Sequence, residues 1–382
     1  TWESLLTNEP IRADIVRPAA EDVALLQYTS GTTGFPKGAT LTHLNLTSNA
    51  AQARAWVPTI ERGTAVVYAV LPMFHAYGLT LCLTFAMSMG SRLVLFPKFD
   101  PDLVLKVVKK HPATFLPAVP PIYERLTLAA KEQGVSLQGI EIAISGAMPL
   151  AASVVEPWEA ETGGYLVEGY GLSECSPVLM ANPVAPNRKA GTVGLPLPNT
   201  EVRVVDPENP TIDRAPGEEG ELIVRGPQVF SGYWNKPNET AEVFVPAEPD
   251  ADGTRRDWFR TGDIVTVDAE GFVRIVDRIK ELIITGGFNV APSEVEEAVR
   301  AHPSVADAAV VGLPSEHSGE DVVAAVVLEP GAVFDEAAIR AFLRENLTAY
   351  KVPKRVFVVE ELPKSLIGKV LRRQVREQLL AN

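Results

Sequence analysis

The segment Tyr28-Thr-Ser-Gly-Thr-Thr-Gly-Phe-Pro-Lys-Gly38 constrains this chain more than any other. It follows the apolar run Val23-Ala-Leu-Leu26, so the pattern predicts a strand that opens into a glycine-rich loop. Glycines at Gly31, Gly34 and Gly38 let the backbone turn and approach an anion closely. The hydroxyls of Thr29, Ser30, Thr32 and Thr33, with backbone N–H groups, are donors suited to phosphate oxygens. Lys37 adds a mobile positive charge. The loop is not a Walker A loop, which ends Gly-Lys-Ser/Thr, whereas this one ends Pro36-Lys37-Gly38.

Composition narrows the class. With 382 residues, 46% hydrophobic and 22% charged, the chain is globular and long enough for two or three folding units. A net charge of −13 argues against nucleic acid or an anionic membrane as a broad partner. Two cysteines, Cys82 and Cys175, make neither a disulfide framework nor a thiolate metal cage, which fits a reducing, cytoplasmic setting. No basic start precedes an apolar run, so no signal peptide is expected, and no initiator methionine is present, so a fragment or processed form is expected. In the most apolar stretch, 65–96, Pro72, His75, Gly78 and Arg92 interrupt any run approaching the ~20 residues of a membrane span.

Short apolar runs alternate with amphipathic stretches through the first two-thirds. Strands are expected at 65–71, 91–96, 114–116 and 140–144. Asp100 and Pro101 read as an N-cap and first helical residue, with Val104, Val107 and Val108 on one face and an end at His111-Pro112. Such alternation implies a largely parallel sheet covered on both faces. From about residue 190 the texture changes to strand pieces, 201–205 and 221–225, between Pro/Gly-rich turns, a mostly antiparallel β unit. After Asp277 a compact α+β unit is expected: a helix begun by a Ser293/Glu296 capping box, strands at 308–311 and 322–328, and a helix over 335–346.

Further along, Ser145-Gly-Ala-Met-Pro149, Glu168-Gly-Tyr-Gly-Leu-Ser-Glu-Cys-Ser-Pro177, Arg260-Thr-Gly-Asp-Ile264, Asp277-Arg-Ile-Lys280, Ile284-Thr-Gly-Gly-Phe-Asn-Val-Ala-Pro-Ser-Glu294 and Pro363-Lys-Ser-Leu-Ile-Gly-Lys-Val-Leu-Arg372 follow in order. Singly, several of these are ordinary turns or charge clusters. Together with the 28–38 loop they resemble the adenylate-forming superfamily of acyl-CoA synthetases, nonribosomal-peptide adenylation domains and luciferases. The resemblance covers nearly the whole chain. It is closest to bacterial long-chain fatty acyl-CoA synthetases, through the 168–175 and 286–290 segments and Thr348-Ala-Tyr-Lys-Val-Pro-Lys354.

The resemblance implies a fold and a site. The fold would be α/β, with a large N-terminal domain over 1–276 (β-rich from 190), a hinge at 277–280 and a mobile α+β domain over 281–382. ATP phosphates would meet Thr29, Ser30, Gly31, Thr32, Thr33, Gly34 and Lys37. Adenine and ribose would meet Gly146, Ala147, Glu168, Gly169, Tyr170, Gly171, Ser173, Asp263 and Arg278. Serine at 173 stands where the family commonly has threonine, and it keeps the hydroxyl. Glu174 and Thr29 would hold Mg²⁺, Lys369 would be the catalytic lysine, and Lys280 the pivot. Gly286, Gly287 and Phe288 would line the coenzyme A channel. Leu71-Pro-Met-Phe-His-Ala-Tyr-Gly78 resembles the acyl side, with His75, Tyr77 and Val119 at an acyl pocket and His75 gating or packing rather than exchanging protons.

The implied reaction joins a medium- or long-chain fatty acid to AMP from ATP, then to coenzyme A. Glu174, Thr29, Lys37 and Lys369 would carry it, with no integral membrane segment and at most a peripheral membrane association. An aryl-acid ligase of the same superfamily is the alternative. Amino acids are disfavoured because the acyl-side segments offer no charge for an α-amino group. Only 27 residues precede the phosphate loop, so the opening portion of the large domain is expected to be absent and a silent nucleotide-binding fragment is the second alternative.

Overall fold

The computed structural model describes residues 17–29, 36–249, 253, 255–315, 317–365 and 368–381. The fold is α/β, built around four sheets. A hairpin of β1 (Val23–Thr29) and β2 (Lys37–Thr42) comes first, antiparallel, with Thr29 opposite Lys37. The helix α1 (His43–Trp56) follows at once. Thr42 and Asn45 close a reciprocal capping box there, each side chain bonding the other's backbone N–H.

A seven-stranded sheet has the order β4-β3-β5-β6-β7-β8-β9, from β3 (Val66–Ala69), β4 (Arg92–Leu95), β5 (Phe115–Ala118), β6 (Ile142–Ser145), β7 (Tyr165–Gly171), β8 (Val178–Ala181) and β9 (Leu195–Pro196). Pairings from β4 to β7 are parallel, as the strand–helix alternation predicts. The sheet then turns antiparallel at β8 and β9, where no α-helix separates the strands. The helices α2 (Pro101–Val108), α3 (Pro120–Gln133) and α4 (Ala152–Thr162) bury Val104, Leu105, Leu126 and Trp158 in its core. Full burial of each such side chain is worth ~1.5–3 kcal/mol. Asp100 caps α2 by accepting the N–H groups of Asp102 and Leu103, with Pro101 at the first helical position as expected.

The β-rich segment forms an antiparallel sheet of β10 (Glu201–Val205), β11 (Gly220–Arg225), β12 (Phe244–Val245), β13 (Trp258–Val267) and β14 (Val273–Arg278). Its apolar face meets the β1–β2 hairpin through Ala39, Leu41, Leu222, Val224 and Phe259. From β14 the chain passes through a 3-10 turn, Ile279–Glu281, into the last sheet. That sheet holds β15 (Ile283–Thr285), β16 (Phe288–Val290), β17 (Val305–Ser315), β18 (Gly319–Leu328) and β19 (Arg355–Val358). On one face lie α5 (Pro292–Arg300) and α6 (Glu336–Asn346), and on the other α7 (Arg372–Ala381).

The expected capping box at Ser293 does not form. The N-cap of α5 is Ala291, and Pro292 takes the first helical position, where its missing N–H costs nothing. The Ser293 N–H instead donates to Asp277 Oδ2 at 2.7 Å, and Glu296 accepts from Val310 and Arg372. A buried carboxylate on β14 takes the N–H that the local cap would use.

Candidate active site

Of the phosphate-loop residues named above, Ser30, Gly31, Thr32, Thr33 and Gly34 lie outside the described residues. Thr29 and Lys37 flank them at the end of the β1–β2 hairpin. The Thr29 hydroxyl points at Lys37 O, 3.5 Å away, and Lys37 Nζ sits 5.0 Å above the Tyr233 ring. Both strands pack on the 3-10 turn Ser173–Cys175, which carries Glu174. Tyr233 joins the two: its hydroxyl donates to Glu174 Oε1 at 2.8 Å while its ring faces Lys37. The sequence reading missed Tyr233, because 59 residues separate it from Glu174.

Asp263 is placed by a bulge in β13. Between Ile223 and Glu221 of β11, the partner residues run from Arg260 to Ile264 and leave residues 261–263 looped out. Glu221, almost fully buried, grips Arg260 through Nε at 2.9 Å and accepts the Gly262 N–H at 3.2 Å. Gly262 takes a φ of +73°, which a side chain would strain. Asp263 thus comes to stand opposite Arg278 of β14, with Arg278 Nε 3.0 Å from Asp263 Oδ1. The Tyr170 hydroxyl donates to the other oxygen, Oδ2. Burial pushes the Asp263 carboxyl up, and Arg278 opposes that shift.

Lys369 enters this group from the far end of the sequence. Its backbone N–H donates to Ser365 Oγ at 3.1 Å, and Ser365 N–H donates to Lys369 O at 2.8 Å, which ties Lys369 to Ser365. Burial, then the Arg278 charge, hold its ammonium below lysine's ordinary range, while Glu281 and Asp263 pull it back up. The preceding Gly368, at φ +83°, packs beside Met148: a Cβ built there would lie 3.6 Å from the Met148 sulfur. The 363–372 segment therefore touches the turn after β6.

That turn is shaped from below. Ala147 has φ +66°, and a Cβ on Gly146 would lie 3.2 Å from the Tyr77 ring. Tyr77 is buried, and its hydroxyl donates to Ala118 O at 3.2 Å and Ile144 O at 2.5 Å. It therefore forms the floor of the turn, between the ends of β5 and β6. Val119 is buried beside it, just before α3. His75 accepts the Tyr77 N–H through Nδ1 at 3.2 Å, and burial lowers its pKa, which keeps the ring neutral near pH 7. Along β7, Glu168, Gly169, Tyr170 and Gly171 lead to Ser173 and Glu174. Burial pushes the Glu168 carboxyl up to about 7.

The structure thus gathers Tyr170, Asp263, Arg278 and Lys369 in one place, with Glu174 near enough for its charge to act on Arg278. It does not add the other loop. Gly286 and Gly287, at φ +57° and +83°, make the tight turn between β15 and β16, and Phe288 stacks on Tyr350 at 4.5 Å. The Gly286 N–H donates to Ser318 O. Lys280, in the 279–281 turn, is exposed.

Among the described residues no cluster of three or more His, Cys, Asp or Glu forms a metal cage. A lone, half-buried Glu174 with one oxygen already taken by Tyr233 is a hard-oxygen donor set that fits Mg²⁺, which keeps waters and shares phosphate oxygens. No helix among the described residues is long and apolar enough to cross a membrane.

Residues 2–234 match the family model of AMP-binding enzymes, and residues 294–369 match the AMP-binding enzyme C-terminal domain. The chain belongs to the AMP-binding enzyme family. It is 44% identical over 361 residues to the long-chain-fatty-acid–CoA ligase of Bacillus subtilis, a match covering 94% of this chain and 62% of that relative. The chain therefore spans about three-fifths of that relative's length. The crystal structure of ATP-bound MatB from Rhodopseudomonas palustris superimposes with a TM-score of 0.83 at 37% identity, over 95% of this chain and 69% of that one. The o-succinylbenzoate coenzyme A synthetase of Bacillus subtilis, in complex with ATP and a magnesium ion, gives 0.81 at 29% identity, over 96% and 73%.

Proposed function

We propose that this protein activates a medium- to long-chain fatty acid with ATP, forming an acyl-adenylate and pyrophosphate, and then transfers the acyl group to coenzyme A with release of AMP. The observation that carries this reading is the approach of Lys369 to the Asp263–Arg278 pair, which brings the end of the chain to the bulge in β13. The likeness to a long-chain-fatty-acid–CoA ligase supports the choice of acid.

In the first step one anion, the carboxylate, attacks another, the α-phosphate. The protein's part is to align the two and to neutralise charge. Lys369 would bridge carboxylate and α-phosphate oxygens as a fixed cation, and Asp263 would accept bonds from ribose hydroxyls with its remaining lone pairs. Lys37 would meet the outer phosphates together with the 30–34 loop, and Tyr170 with Gly146 and Ala147 would border adenine. Glu174 and Thr29 would hold Mg²⁺, which supplies charge neutralisation to the phosphates when bound. His75 and Val119 would border the acyl chain, with Tyr77 supporting them from within.

The second step needs a different neighbour for the adenylate. A small domain, 281–382, would turn about the 277–280 hinge at Lys280, withdrawing Lys369 and bringing in the Gly286–Phe288 turn to line the channel for coenzyme A. The chemistry suits a cytoplasmic setting.

The test is ATP–pyrophosphate exchange by the purified protein with octanoate, palmitate and oleate against benzoate and an amino acid. Exchange driven by the fatty acids is expected. Exchange with the aryl acid alone would reassign the substrate, and ATP binding without exchange for any acid would make this a silent nucleotide-binding protein.

A further inference from the structure

Arg372 bonds to three carboxylates and a hydroxyl, and the chemistry above does not use it. Its side chain is 17% exposed, and its hydrogen-bond partners are Glu296, Ser293, Asp277 and Glu281. Its Nε donates to Glu296 Oε1 at 2.8 Å, and one terminal nitrogen donates to Glu296 Oε2 at 2.9 Å and to Ser293 Oγ at 2.7 Å. The other terminal nitrogen reaches Asp277 Oδ1 at 3.3 Å and also the Glu281 carboxylate. Asp277 and Glu296 are themselves almost wholly buried. Burial opposes the guanidinium charge, yet the hydrogen bond and charge of Glu296, with Asp277 and Glu281, outweigh it.

These partners belong to different parts of the fold. Glu296 and Ser293 lie on α5, beside the last sheet. Asp277 lies on β14, whose pairing with β13 fixes it relative to Asp263, and Glu281 lies in the 3-10 turn that links the two sheets. Arg372 itself sits three residues after Lys369. One planar fork therefore ties the Lys369 loop to the strand that carries Arg278 and to the turn at which the chain changes sheets.

We propose that Arg372 is an orientation latch: a positioning residue that, through Asp277, holds the C-terminal unit where Lys369 faces the Asp263–Arg278 pair. Rotation at Lys280 separates α5 from β14, so the latch must open before the second half-reaction. Arg372 favours adenylation and opposes the switch away from it. This inference rests on the adenylating reading above, and its test keeps the two apart.

The experiment compares Arg372→Lys, which keeps the charge but loses the fork, and Asp277→Asn, which weakens the arm that reaches β14, with the unaltered protein. In both variants, pyrophosphate exchange is expected to fall on the order of tenfold or more, as misplacement of a charge by about 1 Å allows. Thioester formation from supplied acyl-adenylate and coenzyme A is expected to hold within about twofold or to rise. Equal loss in both half-reactions, or no loss in exchange, overturns the latch. Amine labelling of Lys369, read by mass spectrometry, needs no activity. It is expected to quicken several-fold in Arg372→Lys, and an unchanged rate overturns the latch even if the unaltered protein catalyses no exchange. Absence of exchange in the unaltered protein, with faster labelling in the variant, would sink the proposed function and leave the latch standing.

Discussion

Asp263 and Arg278 face each other across neighbouring antiparallel strands, Nε to Oδ1 at 3.0 Å, beside a bulge in β13. The bulge turns a carboxylate out of the ladder, and the arginine and the Tyr170 hydroxyl fix it in position. If this carboxylate meets ribose hydroxyls, as proposed, it does so already held, with little side-chain entropy left to lose on binding.

Asp263→Asn keeps the size but loses charge and half the acceptor capacity. ATP affinity measured by calorimetry should fall about tenfold to a hundredfold, the range for one charge-assisted hydrogen-bond pair. Unchanged affinity would remove Asp263 from the nucleotide site.

Tyr233→Phe deletes the hydroxyl that donates to Glu174 but leaves the ring beneath Lys37. The magnesium concentration that half-saturates exchange should rise about tenfold, the cost of one hydrogen bond to a charged acceptor. Tyr233→Ala, which also removes the ring, should raise it further. Equal magnesium curves for all three proteins would detach Tyr233 from the magnesium site proposed at Glu174.

Glu168 gives a stability signature. Its folded-state pKa of about 7 lies above the ordinary carboxyl value, so its contribution is complete below the unfolded pKa and is lost as pH rises through 7. Glu168→Gln lacks this loss. Denaturant melts should give near-equal stabilities below the ordinary carboxyl pKa of about 4.3, and at alkaline pH a variant more stable by roughly 3 kcal/mol. A variant that is less stable at both ends would show that the carboxylate is paired, not merely buried.

Much of this architecture can be read in the chain, and the failures have physical reasons. Asp100-Pro101 starts α2 because a cap and a proline act within one turn. Residues 201–205 become β10 with the expected bounds, since alternation and turn residues are local. Ser293 deceived because Asp277, 16 positions away, claims its N–H. The antiparallel end of the seven-stranded sheet depends on which edge β8 finds, which periodicity does not encode. Tyr233 and Arg372 escaped notice for the same reason: their partners lie as far as 59 and 95 residues off.

Lys369 carries a pH signature. Burial and Arg278 lower its pKa, so its charge is present at low pH and lost below lysine's ordinary value of about 10.4 as pH rises. The alkaline limb of exchange should fall early. In Arg278→Gln, without the neighbouring positive charge, the midpoint of that limb should move to higher pH. A limb at the ordinary lysine value in both proteins would show that the limb does not report Lys369.

The central claim is that Lys369 serves adenylation alone. Lys369→Ala should reduce fatty-acid-dependent pyrophosphate exchange on the order of a hundredfold or more, the scale for removing one preorganised electrostatic contact in a transition state. The same variant, supplied with acyl-adenylate and coenzyme A, should form thioester at close to the unaltered rate. Equal loss of both half-reactions, or exchange that survives the substitution, would contradict the account.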